Sequence, residues 1–244
     1  MAYEFEYMNK LDALMHRAAE KNAESIRTLA KKMAENIESD HIIHVFGTGH
    51  SHMTGIELFA RAGGLGNVDA LLDPDAVTGF GAQRSCALEK LPGLADIIYD
   101  RYVIEKGDMM IITSNSGRNA VPVEMATRCK KEGIYTVAVT NLAQSKAAVS
   151  RVPSGLHLYE CADLVLDTCV AAGDAEMQIG NVKTGAGSSI ISMFLLNTAV
   201  CEAMKILNDS GIAYPVFQSQ NVDGFDNDAI YEKYAGRIKH YQGI

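Results

Sequence analysis

Two short loops rich in glycine and hydroxyl side chains carry the clearest chemistry in this chain. The first, Gly47-Thr48-Gly49-His50-Ser51, follows the apolar run 42–46. The second, Ser114-Asn115-Ser116-Gly117-Arg118-Asn119, follows the apolar run 109–112 and Thr113. Each precedes a stretch with helical character. A strand, a small hydroxyl-bearing turn and a helix together make a phosphate site. Backbone N–H groups at a helix N-terminus have no intrahelical acceptor and carry partial positive charge. Glycine lets the backbone approach the anion, and Ser and Asn side chains add donors. Asn119 is also in place to cap the second helix, with Pro122 in its first turn, where a missing N–H costs little.

The first loop is not a dinucleotide fingerprint, because the position of its third glycine is His52. It is not a nucleotide P-loop either, since no Gly-Lys-Ser/Thr follows. Two phosphate-type loops in one sheet instead imply a single phosphate and the sugar attached to it.

The elements that must hold these loops are legible from periodicity. Strands are expected at 41–46, 68–72, 109–113, 135–140 and 164–166, with helices at 52–62, 94–103, 120–131 and 188–208 between or after them. Strands alternating with helices, each strand a continuous apolar run, predict an α/β fold with a doubly covered parallel five-stranded sheet. Ligands bind beyond the carboxyl ends of such strands, where both loops lie. Residues 3–39 show an unbroken helical period with no glycine or proline. This long N-terminal helix either covers the domain or packs on a second subunit, and its length favours the second. Residues 210–244 read as a loop followed by a polar helix at 227–241. No linker divides the chain, so 1–244 is expected to be a single domain.

Totals bound the partners. The chain has 244 residues, 48% hydrophobic, with a formal net charge of −8. That is enough for one sizeable core and argues against nucleic acid or an anionic membrane as main partner. Five cysteines, none spaced Cys-x-x-Cys, read as reduced thiols and point to a cytoplasmic protein without a secretory signal. The apolar stretch 188–204 is interrupted by Ser192, Asn197, Thr198 and Glu202, and reads as a buried helix rather than a membrane span.

The pair Gly-x-Gly-x-Ser and Ser-x-Ser-Gly-x-Asn resembles the two loops of the sugar isomerase (SIS) domain, over roughly residues 1–210. A third segment, Gly180 to Ser189 with the apolar helix behind it, is similar to one that N-acetylmuramic acid 6-phosphate etherases place before a long helix. The long N-terminal helix is similar to that of phosphoheptose isomerases. The run Gly-Arg-Asn-Ala-Val-Pro matches a single-domain subgroup of SIS proteins. The resemblance implies a flavodoxin-like SIS fold, a phosphosugar ligand and a homodimer or dimer of dimers. It implies contacts to that ligand from Gly49, Ser51, Ser114, Asn115, Ser116 and Asn119. Lys183, in the glycine-rich third segment, is either a cation for the substrate or a solvated loop lysine.

For catalysis, the family's usual acid lies one helical turn beyond Glu57, at a position that is Arg61 here. Glu57 and Arg61 are expected on one helix face at i, i+4. Glu57 is then the first choice of general base, with a surface ion pair as the alternative. His50 is the first choice of acid, since histidine titrates near neutral pH. His50, His52 and Glu57 also have the types of a metal site, but no further ligand pattern accompanies them, so no metal and no cofactor are expected. His44, inside an apolar strand, reads as a core histidine. His240 sits where C-terminal helices of the family can reach a neighbour's site.

The expected function is thus an isomerase or lyase on a sugar or amino-sugar 6-phosphate, started by removal of the C2 proton. The alternative is a non-catalytic phosphosugar sensor or regulatory subunit. The chain has no basic helix-turn-helix segment, so a sensor would need a separate partner.

Overall fold

The computed structural model describes residues 4–241; Tyr3 of the expected N-terminal helix, and residues beyond 241, lie outside them. In chain order the elements are α1 (Glu6–Lys21), α2 (Ala23–Glu38), β1 (Ile43–Gly47), α3 (Met53–Leu58), β2 (Val68–Ala70), α4 (Ala82–Leu88), α5 (Leu94–Tyr99), β3 (Met109–Thr113), α6 (Ala120–Glu132), β4 (Tyr135–Thr140), α7 (Leu142–Ala147), α8 (Leu158–Cys161), β5 (Leu164–Asp167), β6 (Met177–Ile179), β7 (Val182–Thr184), α9 (Ser188–Asp209) and α10 (Asp228–Tyr234).

Strands β1 to β5 form one parallel sheet in the order β2-β1-β3-β4-β5. This is the flavodoxin-like order, and it has one reversal, between β1 and β3. Alternation along the strands explains the two covered faces. Ile43, Val45, Met109, Ile111, Val137, Val139 and Leu166 join a cluster with α1, α2 and α9. Phe46, Met110, Ile112 and Ala138 join the opposite cluster with α5, α6 and α8. Helix α9 is long and apolar enough by composition to cross a membrane, yet Ile191, Leu195, Leu196, Ala199 and Ala203 are buried in the first cluster.

The N-terminal helix is two segments. Asn22 interrupts it: its amide donates to Ala18 O at 2.7 Å and Asp167 O at 2.8 Å, and its Oδ1 accepts from Asp167 N at 2.7 Å. The break pins the helix pair to the end of edge strand β5. Periodicity cannot reveal it, because Asn22 keeps the helical spacing on both sides. Helix α2 buries Ile26, Leu29, Ala30, Met33, Ala34 and Ile37 within this chain.

The C-terminal segment straps across the β2 side of the sheet. Tyr241 donates to Gly66 O at 2.8 Å, and its ring packs edge-to-face on Phe217 and Tyr231 and at a tilt on Phe59. Arg237 holds Asp108 at 2.8 Å. Beneath it, the core histidine is part of an ionic cluster: His44 lies 3.1 Å from both Asp69 and Asp108, with all three side chains fully buried.

Candidate functional site

Register fixes the site. Gly47 pairs with Thr113, so both loops leave the sheet at the same level. From there the chain diverges. Helix α3, behind the first loop, packs on α9, while α6, behind the second, packs on α5 across the sheet. The two loops therefore flank the reversal between β1 and β3, the place where parallel sheets bind ligands.

The first loop needs its glycines. A Cβ on Gly47 would lie 2.5 Å from Ser51 O, and Gly49 has φ 58°, in the left-handed region. Ser51 N donates to Thr48 O at 3.0 Å, closing the turn, and Gly49 N is tied to Ala76 O at 2.8 Å. The Thr54 hydroxyl bonds Ser51 O at 2.8 Å and lies 3.0 Å from the Thr113 hydroxyl, joining the bases of the two loops. Nδ1 of His52 is bound to Gly49 O, so that ring is committed to the loop. His50 is exposed, and its ring has no partner among the described residues.

The second loop is anchored to β4 and the segment after it. Ser114 N donates to Val139 O at 3.0 Å, and Asn141 N to Asn115 O at 2.9 Å. Gly117 has φ 58°, and a Cβ there would lie 2.7 Å from Thr140 Oγ1. Ser114 is buried, its Oγ accepting from Gly117 N at 3.3 Å. Asn115 Oδ1 accepts from Thr168 Oγ1 at 3.0 Å. The hydroxyls of Ser51 and Ser116, both half-buried, have no protein partner among the described residues. Both hydroxyls are free to donate.

Asn119 departs from expectation. It stands at the N-cap position of α6, but its side chain makes no cap bond. Its Nδ2 donates to Glu89 Oε1 at 2.8 Å, and its Oδ1 accepts from Arg151 Nη1 at 2.9 Å. The other oxygen of Glu89 accepts from Thr48 Oγ1 at 3.0 Å. Glu89 thereby bridges the two loops. Its carbonyl also takes Val121 N at 3.1 Å, satisfying one of the otherwise open donors of α6. Sequence reasoning did not find Glu89; it follows α4, a helix not anticipated, and no motif marks it.

Helix α3 ends at Leu58, and Phe59 is extended, so Glu57 and Arg61 do not share a helix face. They still form an ion pair, through Oε1 of Glu57, which also accepts from Asn197 Nδ2 of α9 at 2.9 Å. Oε2 of Glu57 has no protein donor among the described residues.

Lys183 is exposed on β7 of a separate two-stranded hairpin, with no hydrogen bond or ion pair to either loop. The N-terminus of α9 behind it is filled by the chain's own carboxylate: Asp174 Oδ1 accepts from Gly187 N at 2.9 Å and Ser188 N at 2.7 Å. His240 stays beside its own sheet, its Nε2 3.3 Å from the Tyr102 hydroxyl, and burial holds its pKa below the usual value. Among the described residues no group of three or more His, Cys, Asp or Glu side chains is arranged to hold a metal ion.

Comparison with known proteins adds the following. The SIS domain model matches residues 6–141. The chain is 36% identical over 236 residues to a UPF0309 protein of Halalkalibacterium halodurans, covering 95% of this chain and 94% of that one. It is 34% identical over 241 residues to a UPF0309 protein of Caldanaerobacter subterraneus, covering 96% and 98%. Among solved structures it is similar to a phosphoheptose isomerase of Neisseria gonorrhoeae, with TM-score 0.53, 15% identity and coverage of 81% and 95%. A phosphoheptose isomerase of Francisella tularensis gives TM-score 0.54, 14% identity and coverage of 82% and 95%. At these identities the likeness to the solved structures is one of fold.

Proposed function

The chain belongs to the SIS-domain family, and from that premise we propose that it binds a phosphorylated sugar or amino sugar between its two loops and acts on it as an isomerase or lyase. The observation that carries this reading is the pair of glycine–serine loops at one level on either side of the β1/β3 reversal, with Ser51 and Ser116 unspent. Their hydroxyls and the nearby backbone amides receive the phosphate, and binding at that end positions the sugar's first carbons.

Glu57 acts as base. Its Oε1 is fixed by Arg61 and Asn197, leaving Oε2 to take the C2 proton. The C2–H electrons form a C1–C2 double bond, and the C1 carbonyl oxygen takes up the charge and a proton, with exposed His50 as donor. Return of a proton to C1, with loss of the C2 hydroxyl proton as C2 becomes the carbonyl, completes an aldose–ketose isomerisation. Departure of the C3 oxygen with a proton, as the C1 hydroxyl gives up its own and C1 becomes the carbonyl again, completes an elimination. Glu89 holds the two loops at their working separation through Thr48 and Asn119. The protein acts as a homodimer or a dimer of dimers.

The test is proton NMR in D2O with glucosamine 6-phosphate, N-acetylglucosamine 6-phosphate and sedoheptulose 7-phosphate. Loss of the C2 proton signal of either aldose, or of a C1 proton signal of the ketose sedoheptulose 7-phosphate, is expected, and the product separates isomerase from lyase. Line broadening without exchange would leave binding alone and favour a phosphosugar sensor. No broadening with any sugar phosphate would remove the reading.

A further inference from the structure

Two arginines lie beside the second loop and, like Arg17 and Arg27 on the N-terminal helices, are without an ion pair among the described residues. Arg61, Arg84, Arg101, Arg128 and Arg237 each hold a carboxylate at ion-pair distance. Arg118 and Arg151 hold none among the described residues, although the chain carries a net charge of −8 and acids outnumber bases. Arg118 lies within the loop, between Gly117 and Asn119, and its Nε is buried with no acceptor. A buried donor without an acceptor is a cost that a ligand oxygen would relieve.

Arg151 is fastened to the same place. Its backbone N–H donates to Arg118 O at 2.9 Å, and its Nη1 donates to Asn119 Oδ1 at 2.9 Å. One edge of its guanidinium is thus oriented by a neutral amide, and the rest of its donor fork is unspent. Through Asn119, Glu89 and Thr48, this arginine ends a chain of hydrogen bonds that reaches the first loop. Two like charges on adjoining backbone repel each other until an anion joins them. A guanidinium fork matches the paired oxygens of a carboxylate or phosphate.

We propose that Arg118 and Arg151 form a second anion site beside the phosphate loops, and that the sugar phosphate bound there carries a further anionic group. This rests on the phosphosugar reading above. It narrows the ligand class from sugar monophosphates to phosphosugars bearing a carboxylate or a second phosphate.

Calorimetry with glucose 6-phosphate, glucose 1,6-bisphosphate and 6-phosphogluconate tests it, since these share a phosphate end and differ in the second anion. The protein is expected to bind at least one doubly charged probe about 10-fold more tightly than the monophosphate, the worth of one charge-assisted hydrogen bond. Added salt should shrink that preference. Arg151→Gln should abolish it while leaving glucose 6-phosphate affinity near that of the parent, and Arg151→Lys, which keeps the charge, should retain part of it. Equal affinity for all three probes would overturn the second site and leave the phosphosugar reading standing. So would a preference that survives in both Arg118→Gln and Arg151→Gln. An equal loss of all three affinities in Arg151→Gln would also overturn it, by placing the arginine in the loop's own framework. Binding of none of the three would overturn the second site, and the NMR test with amino-sugar and heptulose phosphates decides the phosphosugar reading separately.

Discussion

Replacing His44 with leucine should destabilise the protein severely. His44 is the one hydrogen-bond partner of the Asp69 carboxylate among the described residues, at 3.1 Å, and the second Asp69 oxygen is buried without any. Its other ring nitrogen lies 3.1 Å from Asp108. Removing the cation leaves Asp69 buried and uncompensated. Breaking a buried pair in this way costs ~3–5 kcal/mol. Against a total stability of roughly 5–15 kcal/mol, that is a large share. At roughly 2–4 °C per kcal/mol for a chain of this size, the midpoint should fall by about 6–20 °C. Thermal unfolding at neutral pH reads it. The cluster also predicts a pH profile. Burial opposes the charge on His44, but hydrogen bonds to Asp108 and Asp69 outweigh it and raise its pKa above 6.5. Burial would likewise raise Asp108, but bonds from His44, Ile42 N and Glu105 N bring it down to about 2 from 3.8. His44 holds its proton more tightly folded than unfolded, so its contribution is complete below pH 6.5 and is lost as pH rises through the raised value. The Asp108 contribution is complete above pH 3.8 and is lost as pH falls towards 2. The cluster thus favours the folded state most between pH 3.8 and 6.5. In His44→Leu the alkaline loss should disappear. A cost below about 1 kcal/mol, or an unchanged alkaline limb, would refute the ionic reading of this cluster.

Three further outcomes follow from the site and the fold. Glu57→Gln should slow C2 proton exchange by about 10²–10⁴-fold, as expected for a lost general base, with sugar phosphate affinity retained by calorimetry. Gly47→Ala puts a Cβ 2.5 Å from Ser51 O, so the first loop must shift; affinity should drop by roughly 10-fold or more, about 1.4 kcal/mol, in a protein that still melts cooperatively. Asn22→Ala removes the bonds to Asp167 O and N at 2.8 and 2.7 Å and should cost ~1–3 kcal/mol in urea unfolding.

The sheet was legible because its strands are continuous apolar runs between turn signals, and buried parallel strands have that pattern. The two loops were legible because glycine and serine at strand ends have few other uses. The helix at Ala120 and the long apolar helix at Ser188 also fell where periodicity put them. What escaped was set by contacts distant in sequence. Asn22 breaks its helix by bonding to β5, and nothing in its own neighbourhood says so. Glu89 acquires its place only when α4 brings it to Thr48 and Asn119. The helix holding Glu57 stops early, with Ala60 in the left-handed region at φ 46°, which no glycine or proline announces. His44 was correctly read as buried, but a single histidine in a strand does not disclose that Asp69 and Asp108 converge on it from two other segments.

The most direct test of the central claim is an amide-resolved NMR titration of the protein with N-acetylglucosamine 6-phosphate and glucosamine 6-phosphate. A phosphosugar between the two loops predicts the largest shifts at the amides of residues 47–51 and 114–119, from both loops together and saturating with one dissociation constant. Shifts confined to one loop, shifts centred on the hairpin at 177–184, or no shifts with either ligand would contradict it.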